Sequence, residues 1–309
     1  FFNIKNYKFA YDTYKKYLND YEDTEQIQNK IAYSLLKDDN YAEILKYFGN
    51  KSKTYDFQKY LIILSHYKLK QFEKTIQISS ELLKNNKAKY FYDLAYLNVM
   101  SRIETNYYNE IDNLYQMVTN ELKTNDEKTL TIKKEFFKIY VKIGEIEKAK
   151  NIFKKNNDIK LGFFMGETFF KSLYFLEANS YFKNIIDSQS KFERKEIISM
   201  VDCFIITKEN QLALNGIDYL LNDEPDDILL NLKKIDLVLS DTELLNKDFS
   251  FKDVRLKEYY VSKKEYVLKN DYSKYRDFLI INLKDKNIDD IYNQKILLEL
   301  IKLEYDNKN

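Results

Sequence analysis

The sequence predicts an all-α protein built of stacked helical hairpins, an α-solenoid. Three observations favour this fold class. Only five Gly and one Pro occur in 309 residues, which disfavours a turn-rich β protein and glycine-rich phosphate loops. Apolar residues recur at helical spacing and cover more than one helix face, as in Tyr60–Leu64. Similar segments also return at a period of about 30 to 35 residues, which is typical of repeat proteins.

The composition restricts the classes of partner and cofactor. Lys and Arg total 50 against 49 Asp and Glu, so the net charge of +1 gives no electrostatic reason to expect nucleic acid or an anionic membrane. One Cys excludes an intrachain disulfide, and one Cys with one His leaves few zinc ligands. No uncharged run approaches the roughly 20 apolar residues of a membrane span. We therefore predict no cofactor, no metal and no membrane insertion for this segment.

The residue usage also bears on origin and compartment. Lys is far commoner than Arg, and Ile, Asn, Tyr and Phe abound, as expected for a bacterium with an AT-rich genome, so codon bias explains part of the tyrosine content. The chain starts at Phe1 rather than Met, and we expect an upstream segment that could carry a signal peptide or lipid anchor. The compartment stays open between cytoplasmic and periplasmic or extracytoplasmic, and so does the oligomeric state.

The clearest repeat unit lies between Phe136 and Phe153. An apolar-periodic helix leads to a tight turn at Gly144, and a second helix then turns the small residue Ala149 toward the first. This unit resembles the tetratricopeptide repeat (TPR), a 34-residue helix–turn–helix with small residues where its helices cross. The resemblance implies a right-handed solenoid of about eight or nine hairpins.

Weaker copies of the unit follow along the chain. Residues 7–17 resemble the second helix of a truncated first repeat, and Ala32 matches the template in the next unit. Gly166 is expected where a neighbouring helix approaches closely, because Gly in a helix interior costs about 1 kcal/mol relative to Ala. Successive anchors of the second helices stand 34, 31, 74, 29 and 35 residues apart, the 74 spanning two units; they are Ala10, Ile44, Thr75, Ala149, Ala178 and Ala213.

We predict a single continuous domain over residues 1–309, because no Gly/Ser linker interrupts it. Two regions fit the template poorly: 88–120, with an insertion expected near Ser101–Asn106, and 226–250. A C-terminal helix is predicted over 289–305. Its apolar residues cover more than one stripe, so it either packs into the preceding hairpin on two sides or offers apolar surface to another molecule.

The resemblance further implies that the first helix of each hairpin lines a concave, partner-binding surface. The family's groove positions carried onto this sequence are aromatic in the N-terminal half and mixed in charge beyond it. The partner-binding residues predicted in this way are Tyr33, Tyr60, Tyr67, Tyr92, Tyr96, Lys134, Phe163 and Phe170. Other groove positions are Gln26, Asn29, Leu36, Phe57, Leu64, Lys89, Thr131, Lys138, Lys160, Glu167, Lys195, Ile198 and Asp202.

One ligand mode of the family is not predicted here. TPR proteins that clamp two carboxylates use Lys, Asn and Arg at fixed groove positions, but Tyr60 and Leu64 stand where the clamp needs Lys and Asn, and so do Tyr92 and Tyr96. An extended or helical protein segment with apolar anchors suits a tyrosine-rich groove better, because Tyr offers contact area with little side-chain entropy to lose.

Side chains with catalytic potential are interpreted as structural. His66 falls where two helices pack, and Cys203 stands in an apolar run and is expected to be buried. Three carboxylate pairs, Asp38–Asp39, Asp226–Asp227 and Asp289–Asp290, stand at predicted helix boundaries, where capping explains them better than acid–base catalysis. No phosphate loop, nucleophile elbow, calcium loop or zinc spacing occurs. We therefore expect a protein that is not an enzyme.

The function predicted from the sequence is a protein–protein interaction scaffold or adaptor that binds a partner segment on its concave face within a larger bacterial assembly. Two alternatives stay open. One is a peptide-sensing regulatory receptor whose effector domain lies upstream of Phe1. The other is a structural subunit of an envelope or motility complex, which would use lateral surfaces and chain ends rather than the groove.

Overall fold

The computed structural model describes residues 6–20, 24–51, 54–84, 89–121, 127–154, 158–186, 188, 192–247, 249–283 and 290–307. These residues form 18 helices and no strand, which confirms the predicted all-α fold class. The helices are α1 (Tyr7–Asp20), α2 (Glu25–Lys37), α3 (Tyr41–Phe48), α4 (Asp56–Lys68), α5 (Phe72–Leu83), α6 (Phe91–Thr105), α7 (Ile111–Glu121), α8 (Glu127–Lys142), α9 (Ile146–Ile152), α10 (Ile159–Lys171), α11 (Phe175–Lys183), α12 (Arg194–Ile206), α13 (Asn210–Asp223), α14 (Ile228–Ser240), α15 (Thr242–Leu245), α16 (Val254–Lys269), α17 (Tyr272–Leu283) and α18 (Ile291–Asp306).

The chain forms two compact units, Phe1–Lys154 with α1–α9 and Lys155–Asn309 with α10–α18. In the first unit α1 precedes four hairpins, and the first helices of successive hairpins (α2, α4, α6 and α8) touch in series. In the second unit four hairpins precede α18. The predicted helical-hairpin repeats are therefore present. The assignment of residues 1–309 to a single domain stays a prediction.

Five hairpins close through the same turn. The residue at its centre has left-handed backbone, with φ between 50° and 80°. The residue after it has φ of −84° to −88° and ψ of 59° to 69°, and its N–H donates to the carbonyl five residues earlier. This is a Schellman-type ending, which satisfies carbonyls that the helix leaves open. The left-handed residues are Asp39, Lys70, Gly144, Leu173 and Lys208.

The turn sets the position of the predicted anchors. Each anchor is the fourth residue of its second helix, five residues after the left-handed residue, and all five (Ile44, Thr75, Ala149, Ala178 and Ala213) are fully buried. Ala10 is likewise the buried fourth residue of α1, and Ala32 is buried in α2. The 74-residue gap is filled by Leu114, the buried fourth residue of α7, which the sequence template missed.

The irregular region 88–120 has its extra residues in the α6–α7 turn. The insertion was expected near Ser101–Asn106; Ser101–Thr105 is helical, and the turn that follows has five residues, 106–110, two more than the three-residue turns of the five regular hairpins. Arg102, only 3% exposed, holds this longer turn: its guanidinium donates to the carbonyls of Tyr107 and Asn109, and its Nε to Asn98 Oδ1 at 2.8 Å. Burial lowers the pKa of Arg102 from its usual value.

The second irregular region and the C-terminal helix depart from the hairpin pattern in different ways. In 226–250 the second helix is reduced to one turn, α15, after a full α14. The helix predicted over 289–305 is α18, which begins at Ile291 after its N-cap Asp290 and ends at Asp306; residue 289 lies outside the described residues. It packs on α17 and α14 and buries Tyr292, Ile296 and Leu303, as expected for a helix that packs into the preceding hairpins. Leu298 and Ile301 on another face are exposed, and a partner for that face stays a prediction.

Gly166 allows the close contact between α10 and α11. A Cβ atom built at this position would stand 2.5 Å from a ring carbon of Phe182. The Phe182 ring is fully buried and stacks on Phe163 at 5.8 Å between centroids, so it has little room to move away. The close approach predicted for Gly166 is therefore confirmed.

We predict that Gly166→Ala lowers the free energy of unfolding by about 1 kcal/mol, because overpacking against Phe182 outweighs the better helix propensity of Ala. Urea denaturation followed by circular dichroism measures the change. Adding Phe182→Leu removes the clashing ring atoms, so the double variant should lose clearly less than the sum of the two single variants. Additive losses would show that the clash is not the cause.

We predict that Leu173→Gly raises the free energy of unfolding by roughly 0.5 to 1 kcal/mol. A left-handed conformation costs a non-glycine residue about 1–2 kcal/mol, and Gly removes this cost. The net gain is smaller because Gly also increases the conformational entropy of the unfolded chain. Leu173 is 73% exposed, so little burial is lost. The matched control is Leu176→Gly, another exposed leucine but helical, which should destabilise. A lower thermal midpoint for Leu173→Gly would contradict the strain argument.

Candidate functional site

The first unit contains a groove at the N-terminal ends of three successive first helices, α2, α4 and α6. We call it the N-terminal groove, and its volume is about 680 Å³, within the range of ligand sites. Four aromatic rings, two side-chain amides and four charged side chains line it. These residues are Tyr14, Glu25, Gln26, Asn29, Lys30, Tyr33, Asp56, Phe57, Lys89 and Tyr90.

Aromatic stacking fixes the wall of the N-terminal groove between α4 and α6. The rings of Tyr60 and Tyr90 stack at 5.0 Å between centroids with an interplanar angle of 16°, and Phe57 lies 6.1 Å from Tyr90. Burial, reinforced by Asp93, raises the pKa of Tyr60, so its hydroxyl stays neutral at physiological pH. Because the rings support one another, this wall exists before a ligand arrives.

Two successive hydrogen bonds orient the Asn29 side chain in the same groove. The backbone N–H of Tyr55 donates to Gln58 Oε1 at 2.7 Å, and Gln58 Nε2 donates to Asn29 Oδ1 at 2.8 Å. Gln58 is buried, so its amide cannot turn without losing both bonds. Asn29 Oδ1 accepts this bond, which fixes the orientation of the groove-lining amide and identifies Nδ2 as its donor atom.

The second unit has a groove of its own on α10, α12 and α14, here called the C-terminal groove, with a volume of about 780 Å³. Its apolar members are Phe170, Ile205, Ile206 and Leu237, and the Lys233 ammonium pairs with Asp202 at one side. The remaining lining residues are Lys208, Asn210, Asp236 and Ser240. Like the N-terminal groove it has four charged side chains in its lining, but it has a single aromatic ring.

Asp236 links the C-terminal groove to a network of four charges that joins α14, α16 and α18. Lys263 Nζ lies 2.9 Å from Asp236 and 3.0 Å from Glu299, and Lys295 Nζ lies 2.7 Å and 3.0 Å from the same two carboxylates. Burial by itself would raise the pKa of Asp236 and Glu299, but the two ammonium groups outweigh it and the pKa of each carboxyl lies below its usual value. Both carboxyl groups are therefore ionised, so neither has a proton to give as a general acid. We call this network of two carboxylates and two ammonium groups the clasp, because it connects the three helices.

The structure places the predicted partner-binding residues in several environments. Tyr33 lines the N-terminal groove and is 39% exposed, while Tyr60 supports its wall. Phe170 lines the C-terminal groove. Phe163 is buried, with Phe182 and Phe192 within 6 Å of its ring centre, so it presents little surface to a partner.

The remaining four of the eight predicted partner-binding residues lie outside the linings of both grooves. Tyr92 and Tyr96 stack on each other along α6 at 6.3 Å, with the Lys128 ammonium 5.4 Å from the Tyr92 ring centre. Tyr67 on α4 meets Phe72 edge-on, and burial raises its pKa. Lys134 is half-buried on α8. The structure therefore brings Tyr33 and Tyr60 together at one groove but does not unite all eight residues.

The residues considered for catalysis have structural surroundings. Burial raises the pKa of the Cys203 thiol to about 11, so it is protonated at neutral pH. His66 is buried with Nδ1 2.7 Å from Gln71 Oε1. The predicted capping is confirmed for Asp227 and Asp290, which accept from backbone N–H groups at the starts of α14 and α18. Asp38 and Asp39 instead lie in the α2–α3 turn, and Asp289 lies outside the described residues.

Comparison with known proteins gives a structural likeness but no family match. No family model and no curated protein matches the sequence. A solved structure of a tetratricopeptide repeat protein from Parabacteroides merdae is similar over 80% of this chain and 98% of its own, with 14% identity and a TM-score of 0.37. The fold described above rests on the hairpins and turns of this chain itself.

No group of three or more His, Cys, Asp or Glu side chains within the described residues is arranged to hold a metal ion. None of the described helices is long and apolar enough to cross a bilayer.

The sequence template found half of the N-terminal groove lining and missed the rest. Gln26, Asn29, Tyr33, Phe57 and Lys89 were all expected there. Tyr14 was missed because it belongs to α1, a second helix, and Tyr90, the N-cap of α6, because it stands between the template positions Lys89 and Tyr92. In the C-terminal groove the residues of α14 were missed because that unit matches the repeat poorly.

We predict that Asp236→Asn lowers the free energy of unfolding at pH 7 by roughly 1 to 2 kcal/mol, less than for a fully buried pair because Asp236 is partly exposed. The pKa of Asp236 is lowered in the folded state, so its contribution is complete above its usual pKa of 3.8 and is lost as the pH falls through the lower folded value. The difference between wild type and variant should therefore shrink below about pH 4. Urea denaturation at pH 7, 5, 4 and 3 measures it.

The control for this prediction is Asp306→Asn, which changes an exposed carboxylate at the end of α18. It should leave both the unfolding midpoint and its pH dependence nearly unchanged. If Asp236→Asn were as stable as wild type at pH 7, the clasp would contribute nothing to α18 docking.

Proposed function

We propose that the chain is a protein-interaction scaffold that binds an extended segment of a partner protein in the N-terminal groove. Binding is an equilibrium without covalent chemistry, and the protein is not an enzyme. One observation carries the proposal: the ends of three successive first helices bring four aromatic rings and two side-chain amides into one groove of about 680 Å³. Apolar clefts with a few fixed polar groups are the usual form of a ligand site.

Preorganisation supports this groove over the other surfaces of the chain. The Tyr60–Tyr90 stack and the Gln58–Asn29 hydrogen bond order its walls through contacts within the protein. A ligand therefore loses less free energy to ordering the site than it would on separate exposed side chains. Tyr33 adds an exposed ring, a side chain that serves well as an interface anchor. The regulatory-receptor and structural-subunit alternatives stay predictions.

The test is selection of ligands from a random library of 12-residue peptides displayed on phage, panned on the purified chain. Selected peptides are then synthesised with a fluorescent label, and their affinity is measured by anisotropy. We expect Tyr33→Ala to weaken binding about tenfold, as for a central aromatic anchor. Circular dichroism checks that the variant is folded.

The matched control is Tyr305→Ala, which removes a 68% exposed tyrosine from α18, outside both grooves. It should bind the selected peptides as wild type does. The proposal fails if every selected peptide binds Tyr33→Ala and wild type equally well, or if Ile206→Ala in the C-terminal groove is the variant that loses binding.

A further inference from the structure

Helix α18 carries a row of mostly apolar side chains on its exposed face. The row begins at Ile291 and ends at Tyr305, and its members stand alternately three and four residues apart, so they lie along one side of the helix. We call this row the α18 stripe. All five of its residues are exposed, the four large hydrophobic ones by 48% to 68%; the five are Ile291, Gln294, Leu298, Ile301 and Tyr305.

The α18 stripe takes no part in packing within the second unit. The opposite face of the helix packs on α17 and α14 and buries Tyr292, Ile296 and Leu303. The stripe instead leaves Leu298 and Ile301 in water, although burial of such a side chain is worth about 1.5–3 kcal/mol. An exposed apolar row of this kind marks a surface that another molecule covers.

The spacing of the α18 stripe favours a helix as its counterpart. Residues alternately three and four apart form the seam along which two helices pack at a shallow angle, with the side chains of one helix fitting between those of the other. A β-strand, whose side chains return to one face at every second residue, does not match this spacing. From Ile291 to Tyr305 the seam is about 21 Å long, or roughly four turns.

The order of side chains makes the α18 stripe complementary to itself. A two-fold axis that passes between Leu298 and Ile301, perpendicular to the helix, would set two copies antiparallel, with Leu298 of each copy opposite Ile301 of the other. The same axis sets Gln294 opposite Tyr305, whose hydroxyl can donate to the side-chain amide oxygen. Apolar groups thus meet apolar groups and polar groups meet polar groups on both sides of the axis, as an isologous interface requires.

The charges beside the α18 stripe are compatible with this pairing. Glu299 is held in the clasp, and Glu304 pairs with Arg276 of α17, so neither carboxylate is left to repel its own copy. The exposed Lys302 would approach Lys295 of the second copy, whose charge the clasp already balances. Because the clasp also fixes α18 on the unit, association costs little ordering of the helix.

We propose that the α18 stripe joins two copies of the chain in a reversible dimer, with the two α18 helices antiparallel. Helices in contact over about 21 Å bury on the order of 900 Å² in total, which is at the small end of specific interfaces. The dimer is therefore weak, with a Kd of roughly 10 to 100 μM. This inference does not depend on the N-terminal groove, which lies in the first unit.

Sedimentation equilibrium of the full chain between about 5 and 500 μM tests the dimer. We expect the mean mass to rise with concentration from 37.3 kDa toward twice that value. Leu298→Glu should raise the Kd at least tenfold, because pairing would bury its charge against the second copy's Ile301. The matched control is Leu176→Glu, which changes a leucine of α11 that is 75% exposed and should dimerise as wild type does. Circular dichroism checks that both variants are folded.

Disulfide cross-linking tests the direction of the two helices. Leu298→Cys and Ile301→Cys are made as separate variants with different affinity tags, mixed, and oxidised by air. The native Cys203 is buried, so it does not compete. Antiparallel pairing predicts that the disulfide between the two variants forms faster than a disulfide within either one, because position 298 of one copy faces position 301 of the other.

A mass that rises with concentration, a weaker dimer for Leu298→Glu and a faster mixed disulfide support the inference. A chain that is still monomeric at about 500 μM overturns it and leaves the α18 stripe to a helix of a different protein. A dimer that Leu298→Glu does not weaken also overturns it, since the interface then lies elsewhere. Faster self-linking of Leu298→Cys contradicts the antiparallel arrangement.

Discussion

The structure depends on one backbone constraint, the left-handed residue that closes each regular hairpin. Once its φ is positive, the next residue begins a helix in the opposite direction, and the fourth residue of that helix must be buried against the first. The turn is the same with Asp39, Lys70, Gly144, Leu173 or Lys208 at its centre. Its cost at the four non-glycine positions is offset by the carbonyls that it satisfies and by the burial that follows.

The groove follows from this constraint in two steps. Uniform turns give the first helices of the N-terminal unit a common direction, so the ends of α2, α4 and α6 come to the same surface. Contacts between neighbouring hairpins then order the side chains there, through Gln58 and Asn29 for α4 and α2 and through Tyr60 and Tyr90 for α4 and α6. The walls of the groove and the stacking of repeats therefore use the same residues.

Small residues and Gly made the repeats predictable from the sequence, because few side chains tolerate a close helix crossing. Ala149 and Gly166 are of this kind, and Gly144 marked a turn because Gly adopts the left-handed conformation without strain. Leu114 was missed because the α6–α7 turn is two residues longer than the regular turns, which shifts the register of the repeat. Side-chain roles were harder to predict: Phe163 and Tyr33 are both aromatic residues of first helices, but only packing with Phe182 and Phe192 decides that one is core and the other exposed.

The serial contact of α2, α4 and α6 limits how the N-terminal groove can change over evolutionary time. A groove assembled from one helix end per hairpin can be lengthened or shortened only by whole hairpins. Its length thus changes in steps of about 8–10 Å. Gene duplication of a unit would lengthen the groove without redesigning the existing contacts, whereas extra residues inside a hairpin, such as the two in the 106–110 turn, would alter the edge of the stack and leave the length of the groove unchanged.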